Sequence, residues 1–308
     1  MKDLTPTKAE RILIDAGYDA AICEGLMATR SRADQAPLAD ARDTITRFRS
    51  RYGYTSRQFK LLTPPDANAK LRKTERPNYG LTLTPNRTLD VSAFDIPKPL
   101  NLCPWASKGC ANACLNYSGH GSFNKTQFAR QVRCASLFTH PREFGLLLGA
   151  ELQRLSLSHG SFLFRPNVVS DLRIELVMPM ALRALSRLRG CRVYDYTAWP
   201  MDKRDPYDAN GIKRLFHLTY SAKESAHTSD VYLASVLMAG NNVAMPFAVD
   251  READLPKRYT LNGDSFRVIN GTASDDRTDD PEGVIVGLVE KKTPGRKTDT
   301  TGFIRPIQ

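Results

Sequence analysis

Apolar residues recur at helical spacing in two parts of the chain. In the N-terminal part, apolar positions three and four residues apart predict helices between Thr7 and Gly17, over residues 20–27 and over residues 37–48. The helices predicted after residue 120 cover residues 125–138, 141–155, 179–188 and 229–239. The chain therefore begins with a small helical segment and returns to helices in its second half.

Short apolar runs that end in polar residues predict strands between the later helices. The predicted strands cover residues 81–84, 89–91, 161–165, 191–197, 215–221, 242–247 and 283–288. Strands that alternate with helices are typical of a parallel sheet. The predicted fold class is α/β, a parallel (β/α) barrel or partial barrel with an N-terminal basic helical extension. We place the extension at residues 1–76 and the barrel domain at residues 77–308.

Polar residues follow or end several of the predicted strands. In a parallel barrel, such residues face one mouth of the sheet, so we predict Asp171, Asp195 and His217 to be catalytic residues there. Two of them have simpler alternatives, since Asp171 is also placed to cap the next helix and His217 lies in an apolar run where a hydrogen-bonded core histidine is common. Asp195 lies between two tyrosines in a predicted buried strand, where a carboxylate needs a partner or a function.

Three of the six cysteines, Cys103, Cys110 and Cys114, fall within twelve residues of one loop. Thiolates that come from one loop bind soft or borderline metals, because the cation offsets their charge. The gaps of six and three residues leave two metals open. One is a [4Fe–4S] cluster, and the other is zinc with a fourth ligand from His120, Cys134 or His140. Three buried apolar thiols or a disulfide are the alternative, although a reducing cytosol disfavours the disulfide.

Positive charge is concentrated in residues 42–76. This segment has ten basic and three acidic residues, a net charge of +7, within a chain whose net charge is +11. Such a segment attracts phosphates, and interleaved aromatic residues offer stacking surfaces for bases, so we predict nucleic acid, chiefly DNA, as a partner. A solvated basic face is the alternative. The predicted nucleic-acid-binding residues are Arg47, Arg49, Arg51, Arg57 and Lys60.

No run of eighteen apolar residues and no signal-like start occurs in the sequence, so we predict a cytosolic protein without a membrane span.

Several short motifs resemble one known family. They are Leu-Asn-Leu-Cys-Pro-Trp-Ala-Ser at 100–107, Tyr-Asp-Tyr-Thr at 194–197, His-Leu-Thr-Tyr-Ser at 217–221 and Gly-Val-Ile-Val-Gly-Leu at 283–288. Together they resemble the actinobacteriophage "gene product eighty-eight" family of uncharacterised phage proteins, over about residues 78–305. The resemblance implies a phage protein that acts in the host cell cytosol, and it implies no particular reaction.

A cysteine loop after an early barrel strand is also similar to that of radical S-adenosylmethionine enzymes, in which three thiolates hold a [4Fe–4S] cluster and the fourth iron binds the cofactor. The spacing in those enzymes is three and two residues, so the gaps of six and three depart from it, and no Gly-Gly-Glu-like segment is evident. This similarity implies S-adenosylmethionine as a second cofactor.

Three hypotheses of function follow. The first is a phage-encoded iron–sulfur enzyme that acts on nucleic acid or nucleotides, with DNA modification as the reaction class. The second is a zinc-containing barrel that exchanges bases on DNA with Asp171 or Asp195 as nucleophile. The third is a non-enzymatic DNA-binding protein in which the metal only stabilises a loop.

Overall fold

The computed structural model describes residues 4–29, 31–55, 60–96, 99–208, 210–211, 213–224, 228–291 and 299–307. Over these residues the chain forms a mixed α/β fold. The helices are α1 (Lys8–Asp15), α2 (Tyr18–Met27), α3 (Arg32–Arg51), α4 (Lys108–Asn112), α5 (Asn124–Thr139), α6 (Pro141–Ser158), α7 (Ile174–Val177), α8 (Pro179–Leu185) and α9 (Asp230–Met238). The strands are β1 (Asn78–Gly80), β2 (Phe162–Arg165), β3 (Cys191–Thr197), β4 (His217–Ser221), β5 (Asn242–Phe247), β6 (Arg258–Leu261), β7 (Asp264–Asn270) and β8 (Ile285–Val289).

The eight strands form one sheet in the order β1-β2-β3-β4-β5-β8-β7-β6. All neighbours pair in parallel except β6 and β7, which form an antiparallel hairpin. The α/β class and the mostly parallel sheet are thus confirmed. Within the described residues β1 and β6 are the two edges and no pairing joins them, so the sheet is open and a closed barrel is not confirmed.

The helices predicted from apolar spacing are confirmed, whereas the first two predicted strands are wrong. β1 ends at Gly80, and Leu81 donates one more backbone hydrogen bond to Arg165 (2.9 Å) before the chain leaves the sheet. The alternation at 81–84 has another cause, since Thr82 and Thr84 are buried and bond to Thr63 (2.8 Å) and Cys134 (3.2 Å) through their side chains. A period of two therefore marked a buried loop here.

The hairpin of β6 and β7 is not among the strands predicted from the sequence. Asn262 and Gly263 both adopt positive φ, 52° and 87°. Two consecutive residues with positive φ form the type I′ turn that joins short antiparallel strands, and Asn-Gly is its most frequent sequence. The signal for this hairpin was thus present in the sequence.

The N-terminal helices pack into the main hydrophobic core. α2 crosses α6 so closely that a Cβ added to Gly149 would lie 2.1 Å from the carbonyl oxygen of Ile22, and one added to Gly25 would lie 2.1 Å from that of Leu146. Leu13, Ile22 and Ile45, from α1, α2 and α3, are fully buried in one cluster with side chains of α5, α6 and α8. The helices of the predicted extension therefore share a core with the rest of the fold. Across the described ranges, no helix combines the length and the apolar character needed to cross a membrane.

Candidate metal centre and ligand cavity

The carboxyl ends of the parallel strands open onto a cavity of about 390 Å³, which we call the carboxyl-end cavity. The last residues of β2, β3, β4 and β8 line it, namely Arg165, Thr197, Ser221 and Val289. Ligands of parallel α/β folds bind at this edge because the loops that follow the strands converge there. The volume is that of a site for a small molecule.

Cys103, Cys110 and Cys114 all line this cavity, and none of the three forms a disulfide. Burial, together with neighbouring thiols and Asp171, raises the pKa of Cys103 well above its usual range and that of Cys110 to about 12. Among the described residues, no three side chains of His, Cys, Asp or Glu are grouped closely enough to hold a single metal ion. The three cysteines therefore line the cavity together, but within the described residues their side chains do not converge on the position of one metal ion.

The predicted fourth zinc ligands lie elsewhere. The ring of His120 stacks on Phe123 at a centroid distance of 5.1 Å, and His140 packs edge-on against Phe48 at 5.2 Å. Cys134 is buried in the core, where its sulfur accepts a hydrogen bond from Thr84. None of these three side chains lines the carboxyl-end cavity.

The cysteine loop is attached to the end of β4 through Glu224. Ser107 caps α4 by accepting a hydrogen bond from the backbone N–H of Cys110 (3.2 Å), and its hydroxyl donates to the carboxylate of Glu224. The other oxygen of this carboxylate accepts from the backbone N–H of Gly109 (3.0 Å). A carboxylate at the start of α4 satisfies N–H groups that the helix leaves unpaired. Glu224 thereby fixes the position of Cys110.

Replacing Gly109 with alanine is expected to displace the cysteine loop. A Cβ at this position would lie 2.4 Å from Cβ of Phe303 and 2.5 Å from Oγ1 of Thr301, too close for either atom to remain in place. Overpacking of this kind costs about 1–3 kcal/mol, which thermal or urea denaturation measures. Gly160→Ala is the control, since a Cβ there meets no atom within 4 Å. Equal effects of the two substitutions would contradict the prediction.

Asp171 lines the cavity beside the cysteines and does not cap the following helix. Its carboxylate accepts hydrogen bonds from the backbone N–H of Ala198 (2.8 Å) and from Nη1 of Arg204 (3.4 Å), while its own backbone N–H donates to Leu102 (2.8 Å). Burial raises the pKa of Asp171 to about 6, and Arg204 partly opposes this rise. A carboxylate with such a pKa can accept or hold a proton near neutral pH.

Asp195 is fully buried in β3 and is not among the residues that line the cavity. It accepts a hydrogen bond from the Asn167 amide (2.6 Å), and its other oxygen lies 3.9 Å from Nε of Arg165. Burial raises the pKa of Asp195 to about 8 against the opposing effect of Arg165. Its contacts make it a support for Asn167 and Arg165, both of which do line the cavity.

His217 is the first residue of β4, whereas the cavity adjoins the last residue of that strand, Ser221. The structure therefore places His217 at the opposite end of the sheet from Asp171. Burial lowers the pKa of His217, and the nearby Arg214 and Arg192 lower it further.

Two cavity residues were not predicted from the sequence. Asp275 is 3% exposed and accepts hydrogen bonds from Arg165 (2.8 Å) and from the Tyr194 hydroxyl (2.8 Å). Lys70 lies 3.9 Å from the second oxygen of Asp275 and also lines the cavity. No local signal marks either residue, because their partners are about one to two hundred positions away along the chain.

The four predicted nucleic-acid-binding residues that the structure describes do not line the cavity. Arg47, Arg51 and Lys60 are exposed, and Arg57 lies outside the described residues. Arg49 is buried, with its guanidinium 4.0 Å from the centroid of the Tyr54 ring. The interleaved aromatic side chains are used internally: Phe48 is in the core, and Tyr52 packs between Phe48 (5.0 Å) and Phe94 (4.8 Å). Phe59, the remaining aromatic residue of the segment, lies outside the described residues.

Comparison with curated proteins and with solved structures finds no match to this chain. The sequence profile of the Gene product 88 family matches residues 60–306, which include the cysteine loop and all eight strands. The match begins before the region of about 78–305 over which the motifs resemble the phage family, and it ends at almost the same residue. This protein belongs to the Gene product 88 family.

Proposed function

We propose that this protein is an iron–sulfur enzyme that binds a [4Fe–4S] cluster through Cys103, Cys110 and Cys114 and modifies a nucleotide, or a nucleotide unit of DNA, in the carboxyl-end cavity. The observation that carries the proposal is that three thiols of one loop line the same cavity at the carboxyl ends of the parallel strands. Ligand sites of α/β folds form at this edge.

Three thiolates of one loop are a donor set that an iron–sulfur cluster can use. Each cysteine of a cluster binds a different iron, so the sulfurs lie farther apart than the ~3.8 Å expected around one zinc ion with Zn–S bonds of ~2.3 Å. The three cysteines share a wall without the close grouping that one ion needs, within the part of the chain that the structure describes. A [4Fe–4S] cluster would be held by Cys103, Cys110 and Cys114, and it would supply single-electron transfer to the substrate.

The neighbouring residues have separate roles in this proposal. Asp171, which lies near Cys103 and Cys110, accepts or holds a proton of the substrate at its carboxylate. The buried ammonium of Lys223 donates to the Ala198 carbonyl (3.0 Å) and lowers the pKa of Cys110, so it offsets negative charge at the cysteine end of the cavity. Glu224 orients the loop that carries Cys110.

We also interpret the open sheet as a partial barrel. β2 and β7 are five positions apart in the sheet, a separation of ~24 Å in a flat sheet at ~4.8 Å per strand. Asp275 follows β7 by five residues and yet hydrogen-bonds to Arg165 of β2 and Tyr194 of β3. Such contacts support a strongly curved sheet whose two ends are bridged by the segment after β7.

S-adenosylmethionine remains the second part of the proposal. The position of the cysteine loop, after the first strand of a parallel sheet, suggests this cofactor. The gaps of six and three residues between the cysteines depart from the spacing in radical S-adenosylmethionine enzymes. Cleavage of S-adenosylmethionine by the reduced protein tests this part separately. If the reduced, cluster-containing protein leaves the compound intact, this cofactor is excluded while the cluster remains.

A zinc enzyme is the second candidate function, and the position of Asp171 favours it. Asp171 lines the cavity next to the thiols, with a pKa raised by burial to about 6, which suits a base or nucleophile beside a metal. Asp195, the other predicted nucleophile, is enclosed by Asn167 and Arg165 and is 0% exposed. Base exchange on DNA would therefore depend on Asp171.

Metal and sulfide analysis of protein purified without oxygen tests the proposed function. We expect about four iron and four sulfide per chain, with the broad visible absorption of a [4Fe–4S] cluster. One zinc per chain without sulfide would replace the iron–sulfur proposal with the zinc enzyme. A protein without any bound metal would contradict both, and of the third hypothesis it would leave DNA binding without the stabilising metal.

Binding to DNA through the N-terminal segment is expected to depend on its exposed basic side chains. Replacing Arg47, Arg51 and Lys60 together with glutamine removes three charges from the surface and leaves the buried Arg49 in the core. Each lost phosphate contact lowers the slope of log affinity against log salt by about 0.9, so the variant is expected to bind duplex DNA more weakly and with less salt dependence. Fluorescence anisotropy at several salt concentrations measures both.

The control for this experiment removes the same charge elsewhere. Lys257, Arg258 and Arg267 are exposed on or next to the β6–β7 hairpin, and their replacement with glutamine is expected to leave DNA binding nearly unchanged. If the two triple variants lose affinity equally, the predicted surface is wrong. Deletion of residues 1–76 is a poor test, because it removes helices that form the core.

A further inference from the structure

We infer that Lys70, Lys73 and Lys291 form a phosphate-binding end of the carboxyl-end cavity, so that its ligand is a phosphorylated molecule of nucleotide size. The inference rests on the proposed function in placing the substrate in this cavity, and it deepens that proposal by naming the substrate class. A free nucleotide and a nucleotide unit of a strand share the phosphate that these lysines would bind.

Basic side chains outnumber acidic ones among the described residues that line the cavity. Over the described residues, the lining contains four basic side chains and two carboxylates. The basic side chains are Lys70, Lys73, Arg165 and Lys291, and the carboxylates are those of Asp171 and Asp275.

Both carboxylates already have cationic partners. Asp275 is 2.8 Å from Nη1 of Arg165 and 3.9 Å from Nζ of Lys70, and Asp171 accepts a hydrogen bond from Arg204. Lys73 lies 3.7 Å from Glu252, but this pair is exposed, and such pairs contribute little. The lysine end of the cavity therefore keeps an excess of positive charge.

These cations are close enough to repel one another. The pKa of Lys70 is lowered to about 8, chiefly by burial. Asp275 opposes this change, whereas Arg165, Lys291 and Arg277 contribute to it. Burial also lowers the pKa of Lys291, and Lys73 adds to that effect. A group of cations that destabilise each other's charge is stabilised by a bound anion, and a phosphate group offers up to two negative charges and several acceptor oxygens.

The size and the two ends of the cavity limit the ligand. About 390 Å³ holds one nucleotide but not a double helix, so a unit of a strand would have to leave the base stack to enter. Asp171 lies near both Cys103 and Cys110, and Glu224 and Lys223 lie near Cys110, whereas the charged neighbours of Lys70 are Asp275, Arg165 and Lys291. A phosphate at the lysine end would leave the rest of the nucleotide to extend toward the thiols.

Equilibrium binding to the full-length protein tests this inference. The probes are the four deoxynucleoside 5′-monophosphates, the corresponding nucleosides and a single-stranded oligodeoxynucleotide, measured by calorimetry and by ³¹P NMR. We expect at least one monophosphate or the oligonucleotide to bind about tenfold or more tightly than the matching nucleoside, as the loss of a charge-assisted hydrogen bond predicts. Tighter binding of a monophosphate than of the oligonucleotide would identify a free nucleotide as the ligand, and tighter binding of the oligonucleotide would identify a nucleotide unit of a strand.

Lys291→Gln is expected to weaken phosphate-dependent binding about tenfold, because it removes one cation from the lining of the cavity. Lys257→Gln removes the same charge from an exposed site outside the cavity and is expected to leave the affinity unchanged. The inference is overturned if phosphates bind no more tightly than nucleosides, or if the two substitutions have equal effects.

Iron, sulfide and zinc are measured in the same samples, so that the two proposals fail separately. Phosphate-dependent binding by protein without a cluster would keep the phosphate site and remove the iron–sulfur enzyme. Cluster-containing protein that binds nucleosides and monophosphates equally would keep the enzyme and remove the phosphate site.

Discussion

Replacing Cys110 with serine is expected to abolish the binding of iron and sulfide while leaving the fold intact. The thiolate is the ligand that iron–sulfur clusters require, and a serine hydroxyl stays protonated at neutral pH. Cys110 lies in α4 on the cavity wall, outside the hydrophobic core, so the substitution leaves the packing of the helices against the sheet unchanged. Iron and sulfide analysis, the visible spectrum and the melting temperature together measure the result.

Cys23→Ser is the matched control, because it also removes one half-buried thiol but lies in α2, away from the cavity. It is expected to retain the full content of iron and sulfide. Cys103→Ser and Cys114→Ser should behave like Cys110→Ser if all three thiolates bind the cluster. Retention of the cluster in any of these three variants would remove that residue from the ligand set, and global unfolding would indicate a structural metal instead.

Much of the fold could be predicted from the sequence, because its signals are local. The 3.6-residue spacing of apolar positions located α1, α2 and α5, and short apolar runs located β2 to β5 and β8. The cysteine loop also lies beside the strand ends, although the twenty-two residues 81–102 separate Cys103 from the end of β1 at Gly80. The predicted strand at 81–84 failed because burial in a packed loop produced the same alternation as a sheet.

The polar part of the site depended on contacts that no local pattern contains. Asp171 follows β2 and lines the cavity, as expected for a residue beyond a strand end. His217 does not line the cavity, because it is the first residue of β4 and the cavity adjoins the last. Asp275 and Lys70 meet across the sheet only after the whole fold has formed. The role of Asp275 depends on its contacts with Lys70 and Arg165 in the cavity, which no pattern in the sequence indicates.

Replacing Glu10 with glutamine is expected to lower the free energy of unfolding by about 3–5 kcal/mol, since it leaves a buried charge without its partner. Glu10 in α1 and Arg173 are 0% and 1% exposed. One carboxylate oxygen accepts hydrogen bonds from the backbone N–H (2.9 Å) and Nε (3.0 Å) of Arg173, and the other accepts from Nη2 (2.7 Å). The guanidinium also lies 4.0 Å from the centroid of the Trp199 ring. Denaturation with urea at neutral pH measures the loss.

Glu24→Gln provides the control, because Glu24 pairs with Arg142 (2.9 Å) at the surface, where both side chains are well exposed. Such a pair contributes less than about 1 kcal/mol, so comparable losses in the two variants would contradict the prediction. Burial raises the pKa of Glu10, but hydrogen bonds from Arg173 and Thr7 more than offset this, and the net pKa lies below its ordinary value of 4.5. The stabilisation is therefore present above about pH 4.5 and is lost as the pH falls through the lowered pKa.

The position of this ion pair connects the stability of α1 to the site. Arg173 is two residues beyond Asp171 in the same segment. Asp171, Asn167 and Ser170 of this segment line the cavity. If Glu10 anchors that segment, Glu10→Gln is expected to weaken ligand binding in the cavity even under conditions where the protein remains folded, and Glu24→Gln is expected to leave it unchanged. A destabilised variant with unaltered binding would show that α1 supports the core alone. Weakened binding in Glu10→Gln but not in Glu24→Gln would show that α1 also holds the carboxylate of Asp171 beside the cysteines.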